Sequence, residues 1–209
     1  MLRQGRLMAA GEADLAARRG RAGHVVFVHG FMASGPVFGP MRAHVEAALD
    51  VTTHPLSYRP FDRFEHVALR LRDAVDALGD GPVDLVGHSL GGIVARWYLQ
   101  ELGGAAKVGR LVTLASPHAG TRAAGLPVSP LLAAIRPGSP VLARLREGRS
   151  EAAGVAHTAL VAGADRMVTP PSSAAAVQDA RVRWIEGLGH NEMLFDPRVF
   201  SLVVESLTR

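Results

Sequence analysis

The chain has no cysteine, which removes disulfide frameworks, thiolate metal centres and cysteine nucleophiles together. Aromatic residues make up only 5% of it, and no basic cluster is interleaved with them, so the stacking and phosphate-binding surface of a nucleic-acid partner is missing as well. Charge of one sign is in short supply. The formal net charge is +4, and much of that excess sits in the first 23 residues, where Arg3, Arg6, Arg18, Arg19 and Arg21 face only Glu12 and Asp14. Long apolar runs are absent from this N-terminal region: its longest, Leu7 to Ala10, is too short for a signal-peptide core or a membrane span. These features together lead to the expectation of a cytoplasmic protein. What the chain does have is 209 residues of 48% hydrophobic composition, enough to bury one sizeable core.

Residues 1–23 read as a loose leader, and the folded domain is expected over 24–209. Val25 to Val28 is a continuous apolar, mostly β-branched run, as expected of a parallel strand covered on both faces. Further runs at Val83 to Val86, Leu111 to Ala115, Thr158 to Val161 and Val182 to Ile185, with a weaker one at Val51 to Leu56, predict about six strands. Between them lie helical patterns. Phe64, Val67, Ala68, Leu71, Ala74, Val75 and Leu78 fall at spacings of three and four and form one apolar stripe. Alternation of this kind predicts an α/β fold: a doubly wound, mostly parallel sheet with its ligand site at the carboxyl ends of the strands. From Ala119 to Ala156 the rhythm breaks. Prolines punctuate apolar residues that include Leu126, Leu131, Leu132, Ile135, Val141, Leu142 and Leu145. A small helical cap insert is expected there, the alternative being a surface excursion.

Gly87-His88-Ser89-Leu90-Gly91 directly follows a strand and opens a helix, the setting in which G-x-S-x-G forms a nucleophile elbow. Close glycines relieve the crowding of that turn and lift the serine clear of the sheet. A serine hydroxyl needs a base, and the oxyanion it creates needs donors. Enzymes with this elbow carry the acid and then the histidine after the serine. Of the three histidines after Ser89, His118 precedes every downstream aspartate and His157 opens a strand, whereas His190 sits in a Gly-rich loop after the last strand. Among Asp165, Asp179 and Asp196, only Asp165 both follows a strand exit and precedes the histidine. Ser89, His190 and Asp165 are therefore the candidate catalytic set. Phe31, beyond the first strand, and Leu90, after the serine, are the candidate oxyanion-hole donors, with His88 as support beside the elbow.

Five blocks in this order resemble the compact bacterial lipase and esterase branch of the α/β-hydrolases, which is related to the GPI inositol-deacylases. They are Val28-His29-Gly30-Phe31, Val86 to Gly92, Leu114 to Thr121, Gly163 to Val168, and Gly187-Leu188-Gly189-His190. The resemblance implies an α/β-hydrolase fold and the roles already given to Ser89, Asp165 and His190. It also sets His118, in the block that ends Ala119-Gly120-Thr121, beside the active site. Two departures stand out. Only 23 residues precede the first strand, so no leading antiparallel hairpin is expected, and Asp196 lacks an acidic companion near the histidine loop, so no structural calcium is expected.

The expected activity is hydrolysis of a carboxylic ester through an acyl-enzyme, with no cofactor and no metal. A small-molecule or lipid ester is the expected partner, with transient contact at lipid surfaces. His118, Leu131, Leu132 and Ile135 are the candidate substrate-binding residues. The residues do not separate esters from thioesters, amides or acyl transfer, and a non-catalytic binding module would differ by lacking a member of the set.

Overall fold

The computed structural model describes residues 23–125 and 129–208. The expected leader lies outside these residues apart from Gly23, and so does Leu126. Six strands form one sheet: β1 (Gly23–Val28), β2 (Val51–Leu56), β3 (Val83–His88), β4 (Val108–Leu114), β5 (Ala156–Ala162) and β6 (Ala180–Ile185). All five pairings are parallel, in the order β2-β1-β3-β4-β5-β6. The chain steps outward from β1 to β2 and then returns to β3 on the other side of β1. The strand order thus reverses between β1 and β3, which opens a crevice at their carboxyl ends.

Because parallel strands are covered on both sides, successive residues of one strand enter different cores. Val26 and Val28 of β1, with Leu85 and Leu111, pack under α2 (Phe64–Asp76) and α3 (Leu90–Glu101). Val25 and Phe27, with Val86, Val112 and Leu114, pack under α1 (Gly39–Ala48) and α6 (Pro197–Thr208). The predicted stripe of α2 is the buried one: Phe64, Val67, Ala68, Leu71 and Val75 all face the core. No side chain caps the start of this helix. Its stability comes from burial, at about 1.5–3 kcal/mol for each large apolar side chain.

Between β4 and β5 the chain forms α4 (Pro130–Ala134) and α5 (Pro140–Glu147). Two of the prolines that punctuate this stretch, Pro130 and Pro140, are helix starters. Ser129 and Ser139 cap the two helices, accepting hydrogen bonds from the Leu131 and Leu142 amides at 3.2 Å, and Pro130 and Pro140 stand in the first turn, where no donor is needed. Leu131, Ala134, Leu142 and Leu145 join the core shared with α2 and α3. These helices therefore serve as the covering layer of the β4–β5 crossover. No described helix is long and apolar enough to cross a membrane.

Candidate active site

Ser89 stands between β3 and α3 with φ 54° and ψ −123°, a conformation costly for a residue with a side chain. Its neighbours make the turn feasible. A Cβ on Gly91 would lie 2.0 Å from the Val28 carbonyl oxygen, and one on Gly87 would lie 2.6 Å from the Gly92 backbone. Only glycine allows the helix to start this close to β1. Because α3 begins at Leu90, the first amides of that helix have no intrahelical acceptor. Leu90 itself is fully buried, so what it can offer the crevice is its backbone.

Across the crevice, β1 runs out through His29, Gly30 and Phe31. The His29 Nδ1–H donates to the Gly30 carbonyl at 2.7 Å, which leaves Nε2 to accept the Tyr58 amide at 3.2 Å. The Tyr58 hydroxyl donates to the His29 carbonyl, and the two rings stack with centroids 4.0 Å apart. The turn that carries Phe31 is thereby tied to the end of β2. A Cβ on Gly30 would approach the Ser89 Cβ to 3.0 Å, so the strand exit and the elbow are in contact.

Asp165 follows β5 and His190 follows β6, and the pairing of these strands brings the two loops together. The His190 Nδ1–H donates to Asp165 Oδ2 at 2.7 Å, with both side chains buried. The other carboxylate oxygen, Oδ1, accepts the amides of Met167 and Val168, each at 2.8 Å. Burial pushes the Asp165 carboxyl up, but the hydrogen bond and charge of His190 and the two amides outweigh it and hold the group below its ordinary value. Asp165 is thus an ionised acceptor that fixes the ring orientation and leaves Nε2 of His190 as the basic nitrogen.

Ser89 and His190 line one cavity of about 1040 Å³, together with Phe31, Leu132, Ile135, Met167 and Phe195. Of the residues expected there, His118 and Leu131 are placed elsewhere. His118 is buried, with Nδ1 at 3.2 Å from Arg96 Nη1 and Nε2 at 3.1 Å from Thr113 Oγ1, and Leu131 lies wholly in the core beneath α4. Leu131 is turned wholly into the core, whereas Leu132, about 100° further round the helix, is only partly buried against that core and also reaches the cavity. The rejected acids also have their own settings. Asp196 is held by Arg198 at the start of α6, and Asp179 is exposed in the turn before β6. Met167 and Phe195, half or more exposed at the cavity, had no sequence signal. Their loops had to be placed first.

The profile of the alpha/beta hydrolase fold family matches residues 23–159. The structure is similar to that of Aspergillus fumigatus lipase B, with a TM-score of 0.78 and 18% identity over 90% of this chain. The chain spans 53% of the length of that lipase. It is similar as well to a monoacylglycerol lipase from Paleococcus ferrophilus, with a TM-score of 0.68, 19% identity and coverage of 89% of this chain and 94% of that one. A Bacillus licheniformis lipase in its mature form gives 0.67, 16%, 88% and 92%. At these identities the likeness is one of fold, and the family match covers well over half of the sequence: the chain belongs to the α/β-hydrolase fold family.

Proposed function

We propose that this protein is a serine hydrolase that cleaves carboxylic esters through an acyl-enzyme. The observation that carries this reading is the strained Ser89 on the wall of the cavity that also holds His190, whose Nδ1 is fixed by an ionised Asp165 at 2.7 Å. In the proposed cycle Ser89 Oγ attacks the ester carbonyl carbon while His190 Nε2 takes its proton. The C–O bond of the tetrahedral intermediate then breaks, and His190 passes that proton to the leaving alcohol. Water, deprotonated by His190, attacks the acyl-enzyme and releases the carboxylate with Ser89 restored.

The backbone amides of Phe31 and Leu90 are proposed as the donors to the oxyanion. One belongs to the turn braced by His29 and Tyr58 and the other to the unsatisfied start of α3, so both are in place before charge develops. The apolar wall formed by Leu132, Ile135, Met167 and Phe195 suits an acyl chain. The lipase names of these structural relatives point the same way. The test is turnover of p-nitrophenyl esters of graded acyl length beside matched thioesters and anilides. Ester cleavage with kcat/KM at least about tenfold above both other classes supports the reading. Preference for a thioester or an anilide overturns it.

A further inference from the structure

Behind α3, at the opposite end of the sheet from Ser89, a second cavity of about 330 Å³ is lined by Arg96, Leu99, Leu111, Val155 and His157, among others. Its size is at the lower end for small-molecule sites. Arg96 is 8% exposed and is still a cation at neutral pH, since burial lowers it only to about 10. Its hydrogen bonds among the described residues go to His118 and to the Leu145 carbonyl, and none to a carboxylate. A buried charge without a counter-charge is costly and calls for an anion.

The hydrogen-bond chain behind Arg96 fixes the rest of the site. A guanidinium can only donate, so His118 Nδ1 at 3.2 Å must accept. Burial keeps His118 neutral, so its proton is on Nε2 and is donated to Thr113 Oγ1 at 3.1 Å. The Thr113 hydroxyl proton, which has no other acceptor among the described residues, is donated to His157 Nε2 at 3.0 Å. His157 is neutral too, its value lowered to about 3 by burial and by Arg96, and its remaining proton is on Nδ1. Arg96 and His157 are thus left with donors facing this site, beside the side-chain amides of Gln100 and Gln178, while Leu99, Leu111 and Val155 supply apolar wall. Asp179, the acidic residue of the lining, is exposed at the rim.

We propose that this cavity is a second ligand site, for a small carboxylate with a short apolar tail, its carboxylate received by Arg96 and the Nδ1–H of His157. The site is independent of Ser89. Calorimetric titration of the full chain with butyrate, butanol, butylamine and inorganic phosphate tests it. Butyrate should bind saturably and the other three should not. Ala153→Trp, at the mouth of this cavity, and His157→Phe, which removes the donor but keeps a ring, should each weaken butyrate at least about tenfold. Ala123→Trp, at the mouth of the Ser89 cavity, should leave it within about twofold. Absence of saturable butyrate binding, equal binding of butanol, binding of phosphate instead, or loss through Ala123→Trp in place of the other two variants would each overturn the proposal.

Discussion

The Nε2–H of His88 donates to the backbone carbonyl of His190 at 3.1 Å, so the residue before the elbow serine holds the loop that bears the proposed base. This bond needs only a neutral ring. Burial lowers His88 to about 3, assisted by the proximity of His190, and His157 is likewise lowered to about 3. Unfolded histidines take up a proton near pH 6.5, whereas these two resist until about pH 3. Between those limits the unfolded state binds more protons. Stability should therefore be fully present above pH 6.5 and fall on acidification, by up to about 1.4 kcal/mol per pH unit for each histidine. Urea unfolding from pH 7 to pH 4 measures the slope, and His88→Gln should reduce it. An unchanged slope in that variant contradicts the assignment to His88.

Asp165→Asn should lower kcat by about a thousand- to ten-thousandfold, because an amide cannot stabilise the imidazolium of His190 and favours the wrong tautomer. Asp196→Asn and Asp179→Asn should leave kcat within about threefold, since neither carboxylate lines the Ser89 cavity. Steady-state ester kinetics on the three variants provide the comparison. A larger loss for Asp196→Asn would mean that the acid has been misplaced.

Leu131 and Leu132 are adjacent in sequence but separate in role. Leu131→Ala should cost about 2–5 kcal/mol of stability, as expected for a cavity in a closed core. Leu132→Ser removes part of the apolar wall next to Ser89. It should lower kcat/KM for octanoyl esters by about tenfold with little effect on acetyl esters, given about 0.8 kcal/mol for each methylene withdrawn from water. Thermal melts and a two-substrate comparison separate the outcomes. Equal losses on both esters would remove Leu132 from the acyl pocket.

Gly91→Ala should abolish the native elbow, because the added Cβ would meet the Val28 carbonyl at 2.0 Å and backbone cannot yield as a side chain can. Circular dichroism should show a protein that is unfolded or less stable by several kcal/mol. A stable Gly91→Ala protein would mean that α3 can start elsewhere.

The strands were legible because burial on both faces leaves continuous apolar runs. The edge strand β2, of which only Thr53 and Leu56 are buried, leaves a weaker run, and Val51 to Leu56 still matches it residue for residue. Ser89, Asp165 and His190 could be singled out by the turns they occupy after strands, a local signal. The sides of α4 were not legible. A five-residue helix is too short for its periodicity to say which leucine faces the core, so Leu131 and Leu132 read alike. His118 was misplaced for a different reason: its partners, Arg96 and Thr113, come from α3 and β4, and a hydrogen-bond network assembled from separate elements leaves no spacing in the sequence.

The most direct measurement is covalent labelling of the full chain with a fluorophosphonate, read by intact mass and peptide mapping, because only a hydroxyl activated by an adjacent base reacts readily with it. One adduct per chain is expected, on Ser89, abolished in Ser89→Ala and reduced about a thousandfold in rate in His190→Ala. An adduct on another serine, or a folded protein that takes up no label, would contradict the assignment of Ser89 as nucleophile.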